Sequence, residues 1–310
     1  LSHSVIHDNG IIEFLPIDKL LNKHVKASLL LVDEAAGIPV YLLSAILKKH
    51  HRVVFSSTVH GYEGAGRGFT LKFQTILNSE YKTWYKQTIN QPIRRAEDDP
   101  VEQFIFDVCL LNAELPRLTS SAVDIDKKAV DLDFKCLSGE FLLTNENLLE
   151  QVFAVLVTAH YQTKPSDLKL LLDNPQVSVL CLFHQQKVIS VALLMREGSR
   201  NQQDILAVKN AKRRLRDQFL PQSLMTHCGI EVAFDFDYLR VIRIAVHPDC
   251  QNEGIGTLFL SKINEYASSL KVDFIGASFG CNQQLLNFWL LSNFQLARIG
   301  FNKDAASGEH

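Results

Sequence analysis

The apolar positions of this chain alternate between short continuous runs that suit buried strands and longer stretches with helical spacing. In the first third, the pattern predicts strands and helices in turn, beginning with a strand, at residues 28–32, 38–49, 52–57, 69–77 and 82–88. A further helix is predicted at 100–111. Strands and helices that alternate in this way are typical of a parallel α/β sheet.

A second alternation begins after a polar stretch. Its predicted helices are 145–160, 165–172, 257–270 and 282–291, and its predicted strands are 177–184, 187–196, 238–246, 272–279 and 294–301. From residue 116 the chain turns polar and acidic without clear periodicity, so 116–138 are predicted to connect the two parts. The sequence therefore predicts domains at 1–115 and 139–310, with an insertion at 198–236.

Length and composition fit this two-domain organisation. A chain of 310 residues is long enough for about two domains, and 46% hydrophobic with 21% charged residues excludes disordered and fibrous classes. No apolar run approaches the ~18–20 residues of a membrane span, and the first thirty residues lack a signal-peptide pattern, which predicts a cytoplasmic protein. The six cysteines include no Cys-x-x-Cys pair, so neither disulfides nor a metal site are expected.

The turn after strand 238–246 carries the strongest chemical signal. It reads Gln251-x-x-Gly254-x-Gly256 and leads directly into a predicted helix. Glycines let the backbone approach a ligand closely, and the unpaired amides at a helix start can hold a pyrophosphate. The alternative is a glycine-rich loop that merely joins the strand to the helix.

The wider segment resembles the acetyl-CoA motif of the GCN5-related N-acetyltransferases. That family has Gln/Arg-x-x-Gly-x-Gly/Ala after a strand that ends in an apolar-Val-x-Pro sequence, and every one of those positions matches here. The resemblance implies acetyl-CoA as cofactor. It also implies which residues contact it: Ile244, Ala245 and Val246 along the pantetheine arm, and Gln251, Asn252, Glu253, Gly254, Ile255, Gly256 and Thr257 around the pyrophosphate.

A second cluster of candidate residues lies in the first domain. Asp33 and Glu34 end an apolar strand, a position that suits the magnesium-binding and water-activating carboxylates of an ATPase. Four glycines within residues 61–68 suit a loop that folds tightly around a ligand. The alternatives are a surface acidic pair that caps the next helix, and a flexible surface loop.

Together these segments resemble the bacterial tRNA(Met) cytidine acetyltransferases over residues 29–308. The matching segments are, in order, Asp33-Glu34-Ala35-Ala36, residues 60–69, Gln91-Pro92-Ile93-Arg94, Asp99-Pro100, Ala159-His160-Tyr161 and the acetyl-CoA motif. The resemblance implies a partial RecA/helicase-like domain with a parallel sheet, followed by a GCN5-related N-acetyltransferase domain. It further implies N4-acetylation of the wobble cytidine of elongator tRNA(Met), coupled to ATP and magnesium, with Asp33, Glu34 and Arg94 contacting the nucleotide.

One departure from that family concerns ATP. No Gly-Lys dipeptide occurs in the 310 residues, so the phosphate-binding loop Gly-x-x-x-x-Gly-Lys-Ser/Thr is missing. We therefore expect this chain to be a fragment that lacks the amino-terminal loop and the carboxy-terminal tail of the family. ATP hydrolysis by the chain is not expected.

Acetylation of cytosine requires a group that removes a proton from its exocyclic amine. His160 is the candidate base, because histidine titrates near neutral pH and this residue matches the Ala-His-Tyr pattern of the family. The alternatives are a structural histidine at the end of a helix and a water held by backbone carbonyls. His247, close to the turn, is expected to be structural.

The insertion supplies the candidate RNA contacts. Five cations are expected on one short helical stretch, where they could attract phosphates: Lys209, Lys212, Arg213, Arg214 and Arg216. A solvated helical face is the alternative. For the whole chain, the competing functions are an acetyltransferase for a protein or small-molecule amine, and a non-catalytic RNA-binding module.

Overall fold

The structure is a computed structural model. It describes residues 3–8, 10–23, 25–58, 73–74, 76–81, 83–93, 96–118, 132–159, 165–198 and 200–300. Contacts divide the chain into two compact units, Leu1–Tyr85 and Lys86–His310. The predicted domain boundary at residue 115 stays a prediction.

The first unit contains a small parallel sheet. Its elements are the antiparallel hairpin β1 (His3–His7) and β2 (Gly10–Phe14), helix α1 (Ile17–Asn22), strand β3 (Leu30–Val32), helix α2 (Val40–Lys49) and strand β4 (Val53–Phe55). β3 and β4 pair in parallel. Residues 73–74 and 76–80 are helical, as predicted. The predicted α/β character of this part is confirmed.

Helix α2 supplies the core of the first unit. Leu43 and Ile46, one turn apart, are fully buried, and so are Ala35 and Ala36 after β3. The other face of the β3–β4 sheet is exposed at the paired residues Leu31 and Val54.

The second unit is built on one mixed sheet. Its elements are helix α3 (Pro100–Val108), strand β5 (Leu132–Leu137), helices α4 (Gly139–Leu143), α5 (Glu146–Ala159) and α6 (Pro165–Asp173), strands β6 (Val177–His184) and β7 (Lys187–Gly198), helices α7 (Gln202–Lys209) and α8 (Phe219–Cys228), strand β8 (Asp237–Val246), helix α9 (Ile255–Ser269), strand β9 (Phe274–Ala277) and helix α10 (Gln283–Leu291). The strand order is β5-β6-β7-β8-β9, antiparallel except for the parallel pair β8-β9.

Helices cover both faces of this sheet. Val152 and Val155 of α5 pack on one face, while Phe259 and Ile263 of α9 pack on the other. The central strand β7 is therefore buried at nearly every position and reads as a continuous apolar run. This arrangement confirms the predicted mixed sheet with flanking helices.

Two predicted strands are wrong. Residues 83–88 and 294–300 form neither strand nor helix. The aromatic residues that favour a strand have other roles there, since Tyr85 is almost fully exposed and Phe294 packs against Trp289 with ring centroids 4.8 Å apart. Residue 301 lies outside the described part.

The sequence interpretation also missed strand β5, which lies inside the predicted connection. Leu132 and Phe134 pack against the core on the α9 side, while Asp133 and Lys135 between them form an ion pair at 2.7 Å. This is the alternation of an edge strand with one buried face. Its charged residues resemble those of a linker, which is why the sequence predicts a connection there.

No helix in the described ranges is both long and apolar enough to span a bilayer. Among the same residues, no group of three or more histidine, cysteine or acidic side chains could hold a metal ion.

Candidate functional site

Strand β8 separates from β9 halfway along its length. In the part of the chain that the structure describes, β9 pairs with β8 only from Tyr238 to Val241, whereas β8 continues along β7 to Val246. A bulge at Ile242 marks the point of separation. From Ile242 to Val246, one edge of β8 therefore has no strand partner among the described residues.

This free edge offers the backbone groups of alternate residues. The N–H of His247 donates to the C=O of Ile189 on β7 at 2.8 Å. In an antiparallel strand, the backbone N–H and C=O groups of successive residues are directed to opposite edges. The backbone groups of Ala245 therefore also bond to β7, while those of Ile244 and Val246 are directed at the free edge. Of the three residues predicted to contact the pantetheine arm, Ile244 and Val246 thus have backbone groups directed at the free edge; the contacts themselves stay a prediction. Ala245 instead buries its side chain in the core.

The chain leaves the free edge through the β8–α9 turn, which we define as residues 247–257. The side-chain amide of Gln251 donates to the C=O of Val246 at 3.0 Å and closes the turn. Asn252 and Gly254 have φ values of 65° and 78°, and exposed Glu253 lies between them. Glycine adopts this left-handed conformation at no steric cost and asparagine at little, so these two residues shape the turn.

Helix α9 starts at the end of this turn without a side-chain cap. Its first N–H groups have no acceptor within the helix, and the positive end of the helix dipole lies at the same point. Ile255 is buried and fixes the helix start in the core, whereas Thr257 is exposed. This arrangement suits a phosphate group, as the sequence predicted.

Gly256 also has a packing role, besides its predicted role at the acetyl-CoA site. A Cβ atom there would lie 3.2 Å from Cε2 of Phe288 on α10 and 3.6 Å from Cγ2 of Val246. The missing side chain lets α9 pack closely against α10 and the end of β8. Replacing Gly256 would therefore disturb packing in the core, and it cannot be used to test ligand access alone.

His247 is structural in geometry, as predicted. The residue is 2% exposed, and its Nδ1 accepts the Asp249 N–H at 3.2 Å while Nε2 lies 3.0 Å from the Pro116 carbonyl oxygen. Since Nδ1 accepts, the hydrogen bonds assign the proton to Nε2. Burial lowers the pKa of His247, against the opposing effects of Asp249 and the Pro116 carbonyl.

An ion pair of the site lies beside the bulge. The guanidinium of Arg243 contacts a carboxylate oxygen of Asp167 on α6 at 2.7 Å, and both side chains are less than a fifth exposed. The pair holds α6 against the bulged part of β8. The sequence signal is a charged residue between the apolar residues Ile242 and Ile244 of a strand, and the sequence interpretation overlooked it.

The insertion is anchored to the sheet by a buried glutamate. The Glu197 carboxylate pairs with Arg240 and accepts the Leu220 N–H at 2.7 Å, at the start of α8. A negative charge at this end of a helix is favourable. A cavity of about 430 Å³ opens beside Glu197, with Arg196 and Arg200 in its lining. It lies at the end of the sheet opposite the β8–α9 turn, so it is not the candidate acetyl-CoA site.

The basic residues of the insertion are not on one helix, contrary to the prediction. Helix α7 ends at Lys209, and residues 212–216 form a bend, an irregular segment and the start of a turn; Leu215 in this stretch packs into a small local core. Lys209 pairs with Glu231 at 2.7 Å, and Arg213 pairs with Asp204 at 2.6 Å. The members of the cluster that are exposed and have no ion pair among the described residues are Lys212, Arg214 and Arg216.

The predicted nucleotide carboxylates lie at the carboxyl end of the β3–β4 sheet. Asp33 follows β3, and its Oδ1 accepts the Ser56 hydroxyl at 2.6 Å and the Glu34 N–H at 3.0 Å. These two hydrogen bonds lower the pKa of Asp33, so the carboxylate stays ionised. Glu34 has a φ of 50°, which is uncommon for this residue type. We call Asp33, Glu34, Ser56 and Ser57 the carboxylate edge.

Three predicted features lie outside the described residues. They are Arg94, His160 and the glycine-rich run at 60–69. Their roles stay predictions.

Comparison with known proteins finds a matching family model in each half of the chain. Residues 2–112 match the family model "RNA cytidine acetyltransferase NAT10/TcmA, helicase domain", and residues 151–270 match "GNAT acetyltransferase 2". The chain is 37% identical over 299 residues to the tRNA(Met) cytidine acetyltransferase TmcA of Nitrosococcus halophilus and 38% identical over 297 residues to that of Vibrio cholerae. Each alignment covers 96% of this chain but only 40% and 41% of the relatives' lengths, respectively.

Proposed function

We propose, from the premise that this chain is a relative of the tRNA(Met) cytidine acetyltransferases, that it transfers the acetyl group of acetyl-CoA to a cytidine of tRNA. The observation that carries the proposal is the pairing of a free β8 edge with an uncapped α9 start, joined by the β8–α9 turn. The edge suits an extended arm with amide groups, and the helix start suits a pyrophosphate. Acetyl-CoA has both parts in that order.

The reaction is an acyl transfer from sulfur to nitrogen. The exocyclic N4 of cytosine attacks the thioester carbonyl carbon, the carbon–sulfur bond breaks, and CoA leaves with its sulfur as thiolate or thiol. N4 loses one proton as the new bond forms. The lone pair on N4 is delocalised into the ring, so the chain must hold the amine close to the thioester and supply a base.

We assign the base to His160 as a continued prediction, with a water held by backbone carbonyls of the free edge as the alternative. Ile244 has both its N–H and its C=O directed toward this edge, whereas the Val246 carbonyl already accepts from Gln251. Ile244 is thus the residue of this edge that can both bind the arm of acetyl-CoA and hold a water.

For the RNA contact, we propose the exposed cations Lys212, Arg214 and Arg216. Arg213 and Lys209 are already paired with carboxylates and are weaker candidates than the sequence suggested. Exposed cations attract phosphates without reading sequence. The relatives' names give tRNA(Met) and cytidine. From the family resemblance, we further propose that the acceptor is the wobble cytidine in the anticodon region of elongator tRNA(Met), and that the protein acts in the cytoplasm.

We also propose that the carboxylate edge belongs to an ATP site. Ionised Asp33 and the neighbouring Ser56 hydroxyl are oxygen ligands of the kind that Mg²⁺ prefers, at the end of parallel strands where ATPases hold their metal. Magnesium supplies charge neutralisation on the nucleotide phosphates when it is bound. Because the 310 residues contain no Gly-Lys dipeptide, we expect no ATP turnover by this chain.

The test of the proposed function is product analysis. Because no ATP turnover is expected from the 310 residues, the assay uses the full-length protein of which this chain is expected to be a part. It is incubated with acetyl-CoA, ATP, magnesium and tRNA(Met), the RNA is digested to nucleosides, and N4-acetylcytidine is measured by mass spectrometry. The matched control is the same tRNA with uridine in place of the wobble cytidine. We expect the acetylated nucleoside only with the wobble cytidine present. A lysine peptide that is acetylated while the tRNA stays unmodified would instead identify an amine acetyltransferase.

A further inference from the structure

A short segment of the chain crosses the end of the sheet beside the β8–α9 turn. We call residues 113–118 the strap. Ala113 and Leu115 pack against the core on the α5 side, whereas Leu118 packs against the core on the α9 side. Pro116, between them, is buried. The strap therefore passes from one face of the sheet to the other.

His247 connects the strap to the turn. One ring nitrogen, Nε2, lies 3.0 Å from the Pro116 carbonyl oxygen, and the other, Nδ1, accepts the Asp249 N–H at 3.2 Å. The backbone of the same residue continues the sheet, because its N–H bonds to Ile189 and its C=O accepts the Cys250 N–H at 2.8 Å. One buried side chain thus bridges the strap and the first residues of the turn.

The strap lies between the two segments of the chain that match known families. It follows the segment that matches the helicase model, which ends at residue 112, and precedes the segment that matches the acetyltransferase model, which starts at residue 151. A change in the first half can reach the acetyltransferase half along the chain only through this connection. The strap is the part of the connection that contacts the β8–α9 turn in the described structure.

We propose that His247 is a positioning residue that couples docking of the strap to acetyl-CoA binding at the β8–α9 turn. The inference rests on the proposed function, because it takes the turn to be the acetyl-CoA site. Coupling between two sites is reciprocal. Acetyl-CoA should hold the strap in place, and a docked strap should strengthen acetyl-CoA binding by the same factor.

The sequence offers a reporter for strap docking. Arg117 lies on the strap and is exposed, so trypsin can cleave the bond between Arg117 and Leu118 when the strap leaves the sheet. Cleavage at this bond is followed by mass spectrometry, with and without acetyl-CoA, in the 310-residue chain. For the unaltered chain we expect saturating acetyl-CoA to slow it at least about fivefold, the lower end of ordinary coupling.

Two substitutions of His247 test the hydrogen bonds of its two ring nitrogens separately. His247→Asn places a carbonyl oxygen near the position of Nδ1, so it keeps the hydrogen bond from the Asp249 N–H and loses the hydrogen bond to the Pro116 carbonyl. His247→Gln places an amide donor near the position of Nε2, so it keeps the hydrogen bond to the Pro116 carbonyl and loses the hydrogen bond from the Asp249 N–H. We expect rapid Arg117 cleavage in His247→Asn and slow cleavage in His247→Gln. In both variants the cleavage rate should no longer respond to acetyl-CoA.

The control is His227→Asn, the same chemical change at an exposed histidine, which should behave like the unaltered chain. Leu118→Ser provides a second route if a His247 variant does not fold. It removes the apolar anchor of the strap and leaves the His247 side chain unchanged, and it should speed Arg117 cleavage and weaken acetyl-CoA binding by at least about fivefold.

The outcomes separate this inference from the proposed function. Acetyl-CoA that shows no binding to the unaltered chain by calorimetry would overturn the proposed function. Acetyl-CoA that binds but slows Arg117 cleavage equally in the unaltered chain and in His247→Asn would overturn the coupling and leave the site in place. Unchanged affinity in a folded Leu118→Ser variant with rapid cleavage would overturn it as well.

Discussion

The β8–α9 turn and the carboxylate edge both lie at the end of a strand that leads toward a helix, but they differ in completeness. The turn has a free strand edge, a closed loop and a helix start, each supported by buried residues such as Ile255 and His247. The carboxylate edge has one ionised aspartate, a serine partner and a two-stranded sheet with an exposed apolar face. Parallel sheets are usually covered on both faces.

This difference determines which of the two proposed activities, acetyl-CoA binding or ATP hydrolysis, can be measured on this chain. Phosphate binding at a helix start requires backbone geometry, which the second unit provides by itself. Nucleotide hydrolysis requires several charged groups to act together, and the first unit provides only part of that set. Acetyl-CoA binding should therefore be measurable on this chain, whereas ATP turnover should not.

The largest effect is expected at Gly254. Gly254→Val forces a β-branched residue into a left-handed conformation at the helix start, while Gly254→Asn is a matched control because asparagine tolerates that conformation. Loss of one hydrogen bond to a charged group corresponds to about 1.5–3 kcal/mol, roughly tenfold to hundredfold in affinity. Calorimetry with acetyl-CoA should show this loss for valine and near-normal binding for asparagine. Equal affinity in all three folded proteins would remove the turn from the site.

The next effect concerns the insertion. Changing Lys212, Arg214 and Arg216 together to glutamine should weaken tRNA binding and reduce the slope of log affinity against log salt by roughly 2, at about 0.7 per single-stranded phosphate contact. The control changes Lys209 and Arg213, which are already ion-paired, and should reduce the slope less. Binding would be followed by filter retention at several salt concentrations. The same slope for both variants would remove the unpaired cations from the tRNA surface.

Gly256 should affect stability. Gly256→Val places atoms against the Phe288 ring and should cost about 1–3 kcal/mol of unfolding free energy, as overpacked cores do. Phe288→Leu, added to the same chain, should recover part of that loss. Urea denaturation measures both. A fully stable Gly256→Val variant would mean that α10 does not pack against the start of α9 as closely as described.

The sequence predicted the chemistry of the β8–α9 turn better than its packing. Gln251, Gly254 and the uncapped helix follow from local rules of strand, turn and helix start, which act over a few residues. The contact of Gly256 with Phe288 and the ion pair of Arg243 with Asp167 join residues 32 and 76 positions apart in the printed numbering. Such contacts depend on how helices pack across the sheet, which a single sequence does not reveal.

A similar limit applies to the insertion and to strand β5. Composition located the basic cluster, but only the fold shows that Asp204 and Glu231 neutralise two of its members. Strand β5 was missed because its exposed face is charged. Conversely, the predicted strand at 82–88 has the right residue types but pairs with no other strand in the described structure.

A smaller effect is expected from pH. Burial lowers the pKa of His247 below its ordinary 6.5, so the unfolded chain binds a proton more readily than the folded chain. The contribution of this group to stability is therefore fully present above pH 6.5 and decreases as the pH falls from there toward the folded pKa. His247→Asn should flatten the dependence of the melting temperature on pH between 5 and 7, while His227→Asn should leave it unchanged. An equally steep profile in His247→Asn would assign the dependence to other groups.

The smallest effect is expected at the carboxylate edge. Asp33 is exposed, so Asp33→Asn should leave the midpoint of urea denaturation almost unchanged. Acetyl-CoA affinity should stay within the error of calorimetry, because the β8–α9 turn uses none of these residues. A large loss of acetyl-CoA affinity in Asp33→Asn would contradict the expectation that the carboxylate edge takes no part in acetyl-CoA binding.

The most direct test of the acetyl-CoA site is amide hydrogen exchange resolved to single residues, with and without acetyl-CoA. The account predicts slower exchange on binding at Gly256 and Thr257, at the start of α9, and at Ile244 and Val246 on the free edge of β8. The amides of β3 and β4 should exchange at unchanged rates. Bound acetyl-CoA that leaves the exchange of those four amides unaltered would contradict the account.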